Sequence, residues 1–272
     1  MTRHAFAAIL ALASLGRAQS PARTEFEVAS VKPNTSGGRG GIVNRLPGGG
    51  FRAENIVVNT LIQLAYNVSG FQISGAPAWT SSDRFDVNAK AEGEATMDQM
   101  RPMLQAMLAD RFRLMAHRET KEAPIYELVA AKSGLKLAPT KEGSCTTFDP
   151  KTPPPPPPRP GDPLPRMCGG ARISRSSIDA FGISMAALAS DLSNLLGRTV
   201  VDKTGVTGTF DVHMEFAPDE AIAIGGQAAP SADQAGPSIF TALQEQLGLK
   251  LDNAKSPVEV LVIDHVERPS EN

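Results

Sequence analysis

Three histidines of this chain lie on or beside predicted strands and could act as bases or metal ligands. His213 and Glu215 are two residues apart, so on a strand their side chains share one face. Such a pair is half of a metal or acid–base site, or else a solvent-exposed surface pair. Asp264 and His265 are adjacent, so they point to opposite faces and do not form a catalytic dyad with each other. His117 has no second histidine three or four residues away.

The common catalytic motifs are absent from the sequence. It contains neither a Gly-x-Ser-x-Gly nucleophile elbow nor a His-Glu-x-x-His zinc motif. A serine triad is recognised by geometry, so it stays formally open, but nothing selects a serine. We therefore expect no cofactor and no metal, and we favour a non-catalytic protein over an enzyme.

The segment from Asp202 to Gly205 reads Asp-Lys-Thr-Gly, the letters that mark the phosphorylated aspartate of P-type cation pumps. Those pumps need many membrane helices and a nucleotide domain, for which the sequence shows no sign. A turn is the better interpretation, with Gly205 at a positive φ.

Charge and aromatic content narrow the classes of partner. The 272 residues hold 27 Lys+Arg against 29 Asp+Glu, and a nucleic-acid-binding protein needs a basic excess. We therefore expect no nucleic-acid partner.

Trp79 is the only tryptophan and follows a proline turn. It is either an anchor between helix and sheet or an exposed ring on which a ligand stacks.

Residues 1–20 are predicted to be a secretory signal peptide. Arg3 and His4 precede an apolar run from Ala5 to Leu15, and small residues follow at two cleavage points. The alternative is a short N-terminal helix of the mature fold. No other stretch approaches the ~18 apolar residues of a membrane span, so we expect no transmembrane anchor after cleavage. The mature protein is expected in the periplasm or secreted.

The two cysteines, Cys145 and Cys168, bracket a proline-rich stretch from Pro150 to Pro165. In an oxidising compartment they most simply form one disulfide. Two free thiols or an intermolecular bond are the alternatives. A zinc site is not favoured, because no other cysteine or histidine lies at ligand spacing from them.

Two parts of the chain repeat the same order of elements. Phe85-Asp-Val87 and Phe210-Asp-Val212 each follow a helical pattern and precede another helix. The sequence therefore predicts an α+β fold of two tandem, similar β-α-β-β-α-β-β halves, whose helices pack on small, mostly antiparallel sheets. The halves span residues 21–140 and 171–272. Residues 141–170 form a Pro-rich connector between them, closed by the disulfide.

Specific segments resemble the exported "soil-associated" protein family of acidobacterial and related soil bacteria, a domain of unknown function. The resemblance spans nearly the whole mature chain, and it rests on Phe26–Pro33, Phe51–Asn55, Leu61–Tyr66, Gly75–Trp79, Asp83–Asp86, Met107–Phe112, Val200–Gly205, Gly208–Asp211, Ala242–Leu249 and Val262–His265. Similar domains are sometimes fused to sensor-type metallopeptidases, but the family implies no catalytic residue here. Each half is also loosely similar to the short signalling domain of secretins and TonB-dependent receptors.

These features predict an exported, non-catalytic binding or protein-interaction module, with a sensory or signalling role among its uses. Its partner is an unidentified protein, peptide or small molecule, bound on a free strand edge or in the groove between the halves. Trp79, His213, Glu215 and His265 are the candidate contact residues. The alternatives are an extracytoplasmic hydrolase that uses His213 or His265, and a structural envelope protein.

Overall fold

The computed structural model describes residues 24–38, 40–147, 165–218 and 236–269. The predicted signal peptide, the six prolines 153–158 and most of the low-complexity loop after Pro218 lie outside these residues. None of the helices within the described ranges has both the length and the apolar character that crossing a membrane requires.

The first half contains two helices, as predicted. Leu61, Ile62 and Ala65 are buried on one face of its first helix. Thr96 caps the second helix, where its side chain accepts a bond from Gln99 N and the Gln99 side chain accepts one from Thr96 N. In chain order the elements are β1 (Val28–Pro33), β2 (Ile42–Leu46), β3 (Gly50–Val57), α1 (Val58–Tyr66), β4 (Ile73–Ser74), β5 (Arg84–Lys90), α2 (Met97–Phe112) and β6 (Met115–Ala130).

The second half repeats this order, which confirms the α+β class and the tandem similarity. In it are β7 (Ala138–Pro139), β8 (Gly170–Ile173), β9 (Ser177–Ile183), α3 (Met185–Leu196), β10 (Val200–Asp202), β11 (Phe210–Glu215), α4 (Ile239–Ala242, continued by a π-helical turn Leu243–Leu247) and β12 (Leu249–His265). Each half differs in detail from the predicted order, because it has more strands before its first helix and a single long strand, β6 or β12, at its end. The middle of β6 is exposed and lacks the alternating pattern of a half-buried strand, whereas the middle of β12 alternates between half-buried and exposed residues.

The two outer sheets have equivalent strand orders. One runs β1-β5-β3-β2 and the other β7-β11-β9-β8, and all their pairings are antiparallel. Each contains a bulge opposite the aspartate of the repeated Phe-Asp-Val motif, and the register shifts at equivalent places. This match is the structural form of the repeat seen in the sequence.

The central sheet joins the halves by exchanging strands. Its order is β10-β6-β12-β4, with β6 and β12 antiparallel and Glu122 opposite Pro257 near their middle. The short strand β4 pairs in parallel with β12 of the other half, and β10 pairs in parallel with β6. As a result Leu261 and Ile263 of β12 belong to the first hydrophobic core, and Leu128 of β6 belongs to the second.

The Asp202–Gly205 segment forms the predicted turn. The backbone N–H and the hydroxyl of Thr204 donate to Asp202 Oδ1 over 2.9 and 2.7 Å. Gly205 has a φ of 69°, which glycine adopts without steric cost.

Candidate functional site

A cleft of about 570 Å³ lies where the C-terminal segment after β12 meets the first outer sheet. The first half supplies the end of β1, the loop that follows it and the start of β5, and the second half supplies Arg268 and Pro269. The lining residues are Pro33, Asn34, Thr35, Gly37, Gly38, Ser82, Asp83, Arg84, Phe85, Arg268 and Pro269. Both halves of the sequence thus build one cleft, because β12 carries the end of the second half across to the first.

A tight turn positions Trp79 and Asp83 beside this cleft. The carbonyl of Trp79 accepts bonds from the N–H groups of Ser82 and Asp83, at 3.1 and 2.8 Å. Asp83 Oδ2 in turn accepts a bond from Arg268 Nε at 2.7 Å. The Arg268 guanidinium lies over the Trp79 ring, 5.1 Å from its centroid. Trp79 itself is half-buried against the first core, as an anchor between helix and sheet would be.

Behind the cleft, a network of polar groups holds the bulge of β3. Asp86 Oδ1 accepts bonds from Asn55 N at 2.9 Å and from Asn34 Nδ2 at 2.8 Å. The carbonyl of Asn55 accepts a bond from Arg84 at 2.8 Å. Asn55 is only 8 % exposed, and its side-chain oxygen has no hydrogen-bond partner. These bonds fix the cleft floor, so its shape exists without a ligand.

A second cleft, of about 350 Å³, adjoins the first and shares Arg268 and Pro269 with it. Its other lining residues come from β1, the end of α2 and the segment after β12: Val31, Asp110, Arg111, Arg113 and Glu267. Arg111 also donates to the carbonyl of Ala29 at 3.2 Å. The two clefts together form a groove beside β1, which is an edge strand of its sheet.

Another cleft of about 350 Å³ lies between the halves. A groove at this position is one of the two alternative binding sites that we consider from the sequence. Ser69, Phe71 and Gln72 of the first half face residues of α3 and β10. The hydroxyl of Ser69 donates to Asn194 across the junction at 2.7 Å. This cleft contains neither an arginine nor a histidine.

His213 and Glu215 lie on the outer face of the second outer sheet. His213 Nδ1 is 2.6 Å from Asp179 Oδ1 on the neighbouring strand, and Nε2 is 3.9 Å from Glu215 Oε1. The His213 side chain is 67 % exposed, and neither residue lines one of the clefts described above. The pair therefore has a carboxylate within reach but lies outside the clefts described here.

His265 and His117 each have a different carboxylate partner. His265 Nε2 is 2.8 Å from Glu267 Oε1, and His117 Nδ1 is 2.8 Å from Asp264 Oδ2. Asp264 thus pairs with His117 and not with its neighbour in sequence. His265 does not line the groove, although its partner Glu267 does, and the structure does not bring His213 and His265 into one site.

Cys145 and Cys168 form the predicted disulfide, with an S–S distance of 2.03 Å. It lies against Gly182 in the bulge of β9 and closes the connection between β7 and β8 at its base. Within the described part of the chain, no group of three or more histidine, cysteine, aspartate or glutamate side chains could hold a metal ion.

Among the described residues, two groups have a pKa shifted by burial. Burial in α3 raises the pKa of the Asp191 carboxyl above its usual value. Burial also raises the pKa of the Tyr66 phenol, and Arg118 opposes part of that shift. Neither residue lines the groove beside β1, so neither serves as an acid or base there.

Sequence reasoning did not single out Arg84, Arg113 and Arg268, which line the groove. The arginines are far apart in sequence and belong to no motif. One local signal was available: Arg113 stands directly before Leu114, where the second half has Gly248 before Leu249.

Comparison with protein families gives one match. The chain belongs to the family described as "Protein of unknown function (DUF3738)", whose model matches residues 59–266 and so covers most of both halves. No curated protein and no solved structure matches the chain. The match supports a domain of unknown function, whereas the likeness to the soil-associated family and to the secretin-type signalling domain stays a prediction.

Proposed function

We propose that this member of the DUF3738 family is an exported binding module whose ligand occupies the groove beside β1. The cleft of about 570 Å³ carries the proposal, because it has the size of a small-molecule site and polar groups that converge on it. Arg268 is held by Asp83 and by the Trp79 ring, so the site is built before a ligand arrives. Trp79 then acts by positioning Arg268.

Export is supported by two features. The apolar run from Ala5 to Leu15 follows a basic residue and precedes small residues, as in a signal peptide. The Cys145–Cys168 disulfide fits an oxidising compartment, where such bonds persist. The resemblance to an exported soil-associated family points the same way, and its fusions to sensor proteins suit a sensory use of the binding site.

A hydrolase is the second candidate, because His213 and His265 each lie within 3 Å of a carboxylate, Asp179 and Glu267 respectively. A carboxylate that orients an imidazole is the arrangement of a general base. Against this, both histidines are largely exposed, and His213 lies on an open sheet face. A base in that position has no enclosed site in which to orient a substrate and a nucleophile.

A thermal-shift panel with the full mature chain tests the binding function. The compounds are amino acids, short peptides, sugars, organic acids, phosphates and nucleosides. A ligand present at 100 times its Kd stabilises a protein by ~2.7 kcal/mol, which raises the Tm by roughly 5–10 °C for a domain of this size. We expect at least one class to do so. Arg268→Ala removes the shift, whereas the matched change Arg101→Ala, which breaks only the exposed Asp98 pair, retains it.

The opposite outcome is equally specific. The protein is a hydrolase if no class of compound raises the Tm and the wild-type chain hydrolyses a chromogenic ester or peptide. In that case the His213→Ala variant should not hydrolyse it.

Export is measured separately, by fusing residues 1–23 to alkaline phosphatase, which is active only where its disulfides form. An inactive fusion would contradict the extracytoplasmic location.

A further inference from the structure

Arg113 has a backbone conformation that is unfavourable for a residue with a side chain. It ends α2 with a φ of 51° and a ψ of 32°, in the left-handed region. Helices that end in this way usually have glycine there, or sometimes asparagine. The end of α1 follows that rule with Asn67, and the end of α3 follows it with Gly197.

The equivalent residue of the second half is glycine. Gly248 has a φ of 65° and precedes buried Leu249, as Arg113 precedes buried Leu114. At Gly248 a Cβ atom would lie 2.0 Å from the carbonyl oxygen of Gly134, so a side chain is sterically excluded there. An arginine at position 113 adds backbone strain that glycine would relieve, and a strained residue beside a cleft points to a role for its side chain.

The guanidinium of Arg113 has no hydrogen-bond or ion-pair partner among the described residues, although it lines the second cleft. The two carboxylates that line this cleft have other partners. Asp110 pairs with Arg111 at 3.1 Å, and Glu267 pairs with His265 at 2.8 Å. The positive charge of Arg113 is therefore left for a ligand.

Arg268 supplies a second guanidinium at the border of the two clefts. Its Nε bond to Asp83 and its contact with the Trp79 ring orient the group. In the described part of the chain, its two terminal amino groups have no acceptor. A guanidinium held in this way presents paired N–H donors, which match the oxygen spacing of a carboxylate or phosphate.

We propose that the groove binds a small molecule through an oxyanion group, a phosphate or a carboxylate, which Arg113 and Arg268 hold together. This inference rests on the proposed binding function and names its ligand class. The chain as a whole has a net charge of −2, so its overall charge does not attract an anion, and the attraction has to come from the arginines of the groove. The first cleft receives the rest of the ligand.

Isothermal titration of the full mature chain tests the inference with three probes: inorganic phosphate, succinate and uncharged glycerol. We expect phosphate or succinate to bind and glycerol not to bind, and the better anion identifies the source of the oxyanion. Arg113→Gly should weaken that binding about 10- to 100-fold, the loss expected for one charge-assisted hydrogen bond. The same variant should not lower the Tm of the ligand-free protein, because glycine relieves the strain.

Asn67→Gly is the matched control, since it relieves the same strain at the end of α1, where φ is 54°, and leaves the groove unchanged. Its affinity for the anion should equal that of the wild type. If Arg113→Gly binds the anion as tightly as the wild type does, the oxyanion site is wrong. It is also wrong if sodium chloride at the same ionic strength gives the same titration heat as the anion. If neither anion binds while a neutral compound of the thermal-shift panel does, the inference fails and the binding function stands.

Discussion

The connection after the first strand is anchored differently in the two halves. In the first half it is short, and the side-chain amide of Asn55 donates to the carbonyls of Gly38 and Gly40 at 2.9 and 2.6 Å. In the second half it runs from residue 140 to residue 169, and the disulfide closes it. Gly182 occupies the place of Asn55, and a Cβ there would lie 3.2 Å from Cys145 Sγ.

The same bulge therefore supports two kinds of anchor. Asp86 accepts a bond from Asn55 N, and Asp211 accepts one from Gly182 N, so the carboxylate is the constant part. The residue at the bulge is the variable part, because it contacts whatever anchors the loop. Closing a longer loop costs more conformational entropy, which explains why the long connection has a covalent anchor and the short one has hydrogen bonds.

The largest expected effect is the loss of the covalent anchor. Cys145→Ser with Cys168→Ser removes a bond that closes a sequence separation of 23 residues, and should lower the free energy of unfolding by about 3 kcal/mol. Denaturant titration of this variant and of wild type under reductant should give the same midpoint. A midpoint equal to that of the oxidised wild type would show that the disulfide adds nothing to the second half.

Removing the constant carboxylate comes next. Asp86→Ala leaves the bulge N–H of Asn55 and the side-chain amide of Asn34 without an acceptor. Asp211→Ala does the same to the bulge N–H of Gly182 and the hydroxyl of Thr140. We expect each change to cost about 2 kcal/mol of unfolding free energy. Asp252→Ala, which breaks only an exposed pair with Lys250, is the control and should cost less than about 0.5 kcal/mol. Unequal losses at Asp86 and Asp211 would break the equivalence of the two bulges.

Placing the first half's residue into the second half has a smaller effect. Asparagine tolerates the φ of 59° at Gly182, so Gly182→Asn mainly tests its contact with the disulfide. The change should cost about 1 kcal/mol when the disulfide is present and close to nothing in the double serine variant, a coupling that a double-mutant cycle measures. Equal costs in both backgrounds would show that the disulfide does not select glycine there.

The smallest expected effect is a change in how folding stability depends on pH, caused by the Asp191 carboxyl. Burial raises the pKa of its carboxyl above the ordinary value of an aspartate, so the folded state binds this proton more tightly than the unfolded state. The folded state therefore loses stability as the pH rises from that value through the higher folded pKa. Asp191→Asn should be slightly more stable than wild type at pH 7 and should not gain at pH 3, as measured by Tm. A wild-type advantage at pH 7 would reverse the assigned sign.

Local patterns were sufficient for several elements. Leu61, Ile62 and Ala65 recur at helical spacing, and they lie on the buried face of α1. The repeated Phe-Asp-Val motif identified the two equivalent strands, β5 and β11. The disulfide followed from cysteine count and compartment. Each of these signals lies in a short window or in a residue type whose chemistry is self-contained.

The groove could not be found in that way. Its arginines line one groove only because β12 crosses to the first half, and strand exchange leaves no mark on local periodicity. The histidines stay candidates from their residue type alone, since a residue type shows that chemistry is possible but not whether a concave surface surrounds it. His213 has a carboxylate partner but lies outside the groove.

By itself the sequence determined the α+β class, the repeat, the main helices and the cysteine pairing, because hydrophobic periodicity and residue chemistry act over a few neighbours. Only the tertiary structure decided that β6 and β12 are exchanged, that Arg113 and Arg268 line one groove, and that Gly182 makes room for the disulfide. These outcomes depend on which distant segments pack together, and that is set by burying both cores at once.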